Sequence, residues 1–102
     1  MRVTRVGIDR SQALTVVAYD VADDRRRQRV ADVLMDYGVR LQYSVFECRV
    51  DARRLVELKR RIAPILVLPE DRIAYYSLCG ACEGRALRVP ERDTRPSVVL
   101  QA

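Results

Sequence analysis

The run from Leu14 to Tyr19, Leu-Thr-Val-Val-Ala-Tyr, has no polar side, and Asp20 follows it directly. A short apolar run bounded by turn signals reads as a buried strand. Leu14, Val16 and Ala18 would share one face, and Thr15, Val17 and Tyr19 the other. Both faces are mostly apolar, which places the strand at the centre of a sheet. A chain of 102 residues builds one domain around one core, so the rest of the fold must be arranged about this strand. A carboxylate has little use in a buried strand, because an unpaired buried charge is costly. Asp20 at the strand's C-terminal end, close to Arg25, Arg26, Arg27 and Arg29, therefore marks a place where a metal or a phosphate would meet the protein.

The surrounding pattern supplies the partners of that strand. Met1 to Ala13 reads as a poorly ordered leader or alternative start. Asp23 is an N-cap for a helix from Asp24 to Tyr37, with Val30, Ala31 and Leu34 as its apolar stripe. Arg25, Arg26 and Arg29 are expected mostly to face solvent, and Gly38 closes the helix. Val39 to Val50 is rich in Val, Tyr and Phe and is long enough for a hairpin. Asp51 then caps a second helix carrying Leu55, Leu58 and Ile62 at spacings of three and four. Pro64 and Pro69 end or kink it. Ile73 to Leu78 is a strand, Cys79 to Gly84 a loop, Ala86 to Val89 a short strand, and Arg92 to Pro96 a linker before Val98 to Leu100. The order β-α-β-β-α-β with a trailing strand predicts an α+β, ferredoxin-like fold with two helices on one face of an antiparallel sheet. The expected organisation is a leader over 1–13, a domain over 14–90, and a linker with a C-terminal strand over 91–102. That last strand is too short to fold alone and would build a homodimer if added to a partner's sheet.

Composition narrows the chemistry. No histidine is present, which removes the commonest general base and the commonest transition-metal ligand together. Catalysis would have to use carboxylates, tyrosines, arginines or a carboxylate-held metal. The net charge is +5, and Lys59 is the only lysine. Arginine codons of a GC-rich genome account for that bias, yet a basic balance with planar guanidinium forks still favours anionic, phosphate-bearing partners. No apolar h-region follows the start and no apolar run nears the ~20 residues of a membrane span, so the expectation is a cytoplasmic protein without membrane attachment. The odd count of three cysteines (Cys48, Cys79, Cys82) reads as thiols rather than a disulfide framework. Cys79 and Cys82 form a lone CxxC; a structural zinc site wants four ligands, so the motif is expected simply to connect strands.

Three local patterns occur in order: the apolar strand ending Tyr19-Asp20 with Asp23-Asp24 and the arginine-rich helix, the string Gly38-Val39-Arg40-Leu41-Gln42-Tyr43-Ser44-Val45-Phe46-Glu47, and the strand with Tyr75 and Tyr76 ending Leu78-Cys79. Together, over roughly Leu14 to Val89, they closely resemble the CRISPR-associated protein 2 family, the small dimeric component of spacer acquisition. The Gln42 to Glu47 string is the most specific part.

The resemblance implies a homodimer in which two copies of Asp20 face each other near the two-fold axis and hold Mg²⁺. It also implies Mg²⁺-dependent endonuclease activity on RNA or double-stranded DNA, and a bridging role between dimers of the integrase, CRISPR-associated protein 1. Tyr19, Arg27, Arg29, Arg40 and Phe46 match positions implicated in catalysis or its support. Mg²⁺ is typically held by one or two carboxylates with waters and substrate phosphates, so a symmetric pair of Asp20 side chains suits it, and such an ion can activate water for attack on phosphorus. The residues alone leave plainer readings open. Asp20 could pair with an arginine or cap a turn, the arginines could be a solvated helix face, Phe46 could be core packing, and Tyr19 could pack beneath a helix. The alternative functions are a non-catalytic architectural DNA-binding adaptor, a toxin-like ribonuclease, or a small-molecule-sensing domain on the same fold.

Overall fold

The computed structural model describes residues 12–89. Its central element is the expected strand, β1 (Ala13–Asp20), beginning one residue before the anticipated start. β1 lies between β3 (Val45–Val50) and β4 (Arg72–Leu78), and β2 (Gly38–Gln42) borders β3, giving the order β2-β3-β1-β4 with every neighbouring pair antiparallel. With helices α1 (Asp24–Leu34) and α2 (Ala52–Ile62), this is the α+β, ferredoxin-like arrangement.

Register settles which residues share a face, because side chains alternate along a strand. Val17 lies opposite Phe46 on one side and Tyr75 on the other, and Thr15 opposite Cys48 and Ser77. Val17, Tyr19, Phe46, Cys48 and Val50 join Val30, Ala31 and Leu34 of α1 and Leu58 and Ile62 of α2 in one buried core. The alternate residues, among them Val16, Ala18, Asp20, Glu47 and Arg49, belong to the sheet's other, open face. Thr15 is buried in the same sheet and meets the Ser77 hydroxyl at 3.2 Å.

Both long helices start where short-range capping chemistry places them. The Asp23 carboxylate accepts the Arg26 N–H at 3.0 Å, and that of Asp51 accepts the Arg54 N–H at 2.8 Å. α1 stops at Leu34 rather than Tyr37. The chain turns there because the buried Tyr37 ring is delivered to α2, where Arg54 and Arg61 stack over it at 4.4 and 5.4 Å and its hydroxyl donates to Glu57 at 2.7 Å. Gly38 follows at a close approach of β2 to β3: a Cβ there would overlap the Glu47 carbonyl oxygen and lie 2.7 Å from Cys48 Cα. α2 runs into a 3₁₀ turn at Ala63–Ile65, where Pro64 removes a backbone donor.

The C-terminal part differs from expectation. Cys79 to Gly84 is not a loop, because Gly80–Gly84 forms a short helix, α3, whose cap is the Cys79 sulfur accepting the Cys82 N–H at 3.4 Å. Ala86 to Val89 is not a strand. That segment crosses the open face instead of following a sheet edge, and Arg88 anchors it by a two-point bond to Glu47, at 2.5 and 3.1 Å. Residues 1–11 of the expected leader, the expected linker at Arg92 to Pro96 and the expected strand at Val98 to Leu100 lie outside the described residues. Among the described residues, no helix is long and apolar enough to cross a membrane.

Candidate functional site

Asp20 is the last residue of β1, exposed, and opposite Arg72 of β4 in the ladder. Tyr19, one residue earlier, points to the other side. Its ring is 5% exposed and lies 6.3 Å from that of Phe46, centroid to centroid, and its hydroxyl reaches the Tyr43 carbonyl oxygen at 3.4 Å. Strand alternation separates the two side chains, so the acid is offered to solvent while the tyrosine packs under the helices.

Phe46 is fully buried on β3, and the Arg40 guanidinium of β2 lies over its ring at 5.3 Å. Tyr19, Phe46 and Arg40 thus form one stack on the helix side. Arg27 of α1 joins this region through Tyr43, whose carbonyl oxygen meets the Tyr19 hydroxyl. The Arg27 Nε donates to the Val21 carbonyl oxygen at 3.2 Å, and its terminal nitrogen donates to Asp24 at 2.6 Å and to the Tyr43 hydroxyl at 3.1 Å. These partners hold the Arg27 guanidinium above its ordinary pKa, the Asp24 carboxylate contributing most and the Tyr43 hydroxyl next. The Val21 contact brings Arg27 to the backbone one residue past Asp20.

Between the first turn of α1 and the β2–β3 hairpin lies a polar pocket of ≈ 200 Å³ lined by Asp24, Arg27, Gln28, Arg40 and Tyr43. Drug-sized ligands occupy roughly 300–1,000 Å³, so this space suits a group of phosphate size. Arg29 is exposed on α1 and does not line it. The fold therefore gathers Arg27 and Arg40 around one pocket, places Tyr19 and Phe46 beneath it as packing, and leaves Asp20 on a different face.

One expectation about α1 is overturned. Arg26 does not face solvent; it forms a two-point bond to the buried Asp71 at 2.7 and 3.1 Å. Asp71 also accepts the Ala22 and Val67 N–H groups at 3.1 and 2.9 Å. Arg26 first, and then these backbone donors, keep the carboxyl well below the usual carboxylate range despite its burial. The arrangement ties the β1–α1 turn, immediately after Asp20, to the segment before β4. The Val67 contact is local, but nothing short-range marks Asp71 as the partner of Arg26 and Ala22, which lie 45 and 49 residues away. Tyr43 was visible in the sequence as part of a string, but its contact with Arg27 depends on the hairpin turn.

The metal question rests on the donor set. Among the described residues no group of three or more His, Cys, Asp or Glu side chains could hold an ion. Asp23 is committed to its cap and Asp24 to Arg27. Among the described residues at the end of β1, Asp20 is thus the carboxylate left for an ion, half of the two-carboxylate set that Mg²⁺ commonly uses.

Comparison with known proteins bears on the whole of this region. The family model for CRISPR associated protein Cas2 matches residues 13–86. A curated relative from Synechocystis sp., named CRISPR-associated endoribonuclease Cas2 3, is 48% identical over 67 residues, 66% of this chain and 73% of its own length. One from Thermus thermophilus, named CRISPR-associated endonuclease Cas2 2, is 46% identical over 70 residues, 69% of this chain and 78% of its own. Among solved structures, Streptococcus pyogenes Cas2 superimposes with a TM-score of 0.66 at 34% identity, covering 74% of this chain and 96% of that one. The family match spans β1, both long helices, the hairpin, β4 and α3, so the chain belongs to the CRISPR-associated Cas2 family.

Proposed function

We propose that this protein is a homodimeric, phosphate-binding nuclease of CRISPR adaptive immunity, acting on RNA or double-stranded DNA at a site centred on Asp20. The observation that carries the reading is the exposed carboxylate at the end of the central strand, one residue from the backbone that Arg27 grips. The relatives' names, endoribonuclease and endonuclease, support the reaction class. Two copies of Asp20 brought together by dimerisation would complete the donor set for Mg²⁺, which when bound would supply charge neutralisation and an activated water. Arg27 and Arg40 would hold a backbone phosphate in the pocket between α1 and the hairpin. Tyr43 orients Arg27 through its hydroxyl, and Asp71 with Arg26 fixes the turn that carries Asp20. Attachment through phosphates would be independent of sequence and weakened by salt.

The test is Asp20→Asn, assayed for cleavage of single-stranded RNA and duplex DNA with and without Mg²⁺, and for spacer integration with the integrase partner. Metal-dependent cleavage by the wild type, lost in the variant, is the expected result. Equal cleavage by both proteins overturns the assignment. A second reading, an architectural adaptor that bridges integrase dimers without cutting, is favoured by the packing of Tyr19 and Phe46 away from Asp20. It requires integration to survive Asp20→Asn and metal-dependent cleavage to be absent from the wild type.

A further inference from the structure

The CxxC segment has no part in the proposed reaction, yet its two sulfurs are placed together. Cys79 and Cys82 are both exposed and free, three residues apart, at the junction of β4 and α3. The Cys82 N–H donates to the Cys79 sulfur at 3.4 Å, which turns that sulfur toward the residue carrying the second thiol. Side chains three apart on a helical turn have Cβ atoms about 5–6 Å apart, and a disulfide needs about 3.8 Å, so closure takes a local backbone adjustment of one or two ångströms at the Cys79 cap. The buried Cys48 is on the core side of β3 and takes no part.

The turn that carries the pair is seated on the sheet's open face. Glu83 of α3 forms an ion pair with Arg49 of β3, and five residues on Arg88 grips Glu47. Glu47 and Arg49 alternate with the core residues Phe46, Cys48 and Val50, so both anchors belong to the face opposite α1 and α2. No residue of α3 is buried. The Glu47 carboxylate is buried, so its bond to Arg88 holds the end of the segment firmly, whereas α3 itself is held by the single, partly exposed Glu83–Arg49 pair, which leaves the α3 turn open to a covalent constraint.

We propose that Cys79 and Cys82 form a reversible dithiol–disulfide couple, and that closing the disulfide fixes the α3 turn on the open face of the sheet. The oxidant is a low-molecular-weight disulfide such as oxidised glutathione. The Cys79 thiolate attacks one sulfur of the small disulfide, breaking its S–S bond, forming a mixed disulfide and releasing one small thiolate. The Cys82 thiolate then attacks the Cys79 sulfur, forms the intramolecular S–S bond and expels the second small thiolate. Two electrons pass to the oxidant, and the two protein thiol protons end on the two released thiols. The polarity of the pair suits this order. Cys79 is held below its ordinary value by the Cys82 backbone N–H and thiol, which makes it the attacking sulfur, while Cys82 is raised by the Cys79 sulfur.

The experiment equilibrates the full chain in glutathione buffers of graded ratio, quenches with an alkylating reagent, and maps the tryptic peptide 73–85, which holds both cysteines. The expected result is coordinated loss of both labels, with that peptide two hydrogens lighter than its reduced form. In Cys82→Ser the reaction should stop at glutathione on Cys79, whereas in Cys79→Ser the remaining thiol should react more slowly. Hydrogen exchange at 80–89 should slow in the oxidised wild type. The proposal fails if both thiols stay alkylatable in the most oxidising buffer, if disulfides form only between chains, or if exchange at 80–89 is the same in both states. It fails equally if Zn²⁺, at one ion per two chains, protects both thiols and blocks their oxidation, because the pair is then a metal site. Since Asp20 takes no part, none of these outcomes depends on nuclease activity.

Discussion

Replacing Phe46 separates a packing role from a nucleic-acid role, because the two predict different quantities. Phe46 is fully buried on β3, between Tyr19 and the Arg40 guanidinium. Truncation to alanine returns about 2–3 kcal/mol of transfer free energy. It also leaves up to about 100 Å³ of cavity, worth about 2.4 kcal/mol if the walls cannot collapse. They are poorly able to, since β3 is hydrogen-bonded to β1 on one side and β2 on the other. The expected loss is therefore about 4–5 kcal/mol, a large part of the roughly 5–15 kcal/mol that holds a domain folded. Thermal unfolding at fixed protein concentration should show Tm reduced by roughly 20–35 °C. Phe46→Leu, which keeps most of the volume, should cost about 1–1.5 kcal/mol. Its affinity for duplex DNA, measured well below the unfolding transition, should match the wild type. A base-stacking ring would behave otherwise, since one stacked base is worth about 1–3 kcal/mol. A tenfold or greater loss of affinity in Phe46→Leu, with stability nearly intact, refutes the packing argument.

Three further outcomes follow from the same geometry. The folded Asp71 carboxyl titrates below its ordinary value of 3.8, so the unfolded chain takes up its proton first as pH falls. Its contribution is complete above the ordinary value and is lost as pH drops through the lower folded one. Asp71→Asn should accordingly lower stability near neutral pH and flatten the acid limb of Tm against pH, and parallel acid limbs for the two proteins would count against the Arg26 pairing. Gly38→Ala forces a methyl group against β3 backbone atoms, and urea unfolding should register a loss of about 1–3 kcal/mol; an unchanged midpoint contradicts the β2–β3 register. Burial pushes the Cys48 thiol up to about 12, so under reducing conditions a thiol reagent at pH 8 should modify Cys79 and Cys82 in the folded protein and Cys48 only after denaturant is added. Native-state labelling of Cys48 would show that β3 opens readily.

Much of this architecture is legible along the chain because its signals are local. An aspartate before each long helix satisfies donors within three residues, the apolar spacing along α2 marks its buried stripe, and Gly38 marks the helix-to-strand passage. The doubly apolar run at Leu14 to Tyr19 does place β1 inside the sheet, with β3 and β4 on its flanks. The same alternation assigns Asp20 and Tyr19 to opposite faces. Elements were misread where local preference is weak, as in the five residues of α3 and the segment after it.

The sequence by itself determined the order of the elements, the family and the acid at the end of β1, since each is written in residues a few positions apart. Only the tertiary structure decided which charges are compensated. Arg26 looks like its neighbours Arg25 and Arg29, yet packing sets it against Asp71, and Glu47 of the diagnostic string is held by Arg88, 41 residues away. Burying a carboxylate is tolerated only with such a partner, and that partner is chosen by which elements fold against each other, a choice that no window of sequence contains.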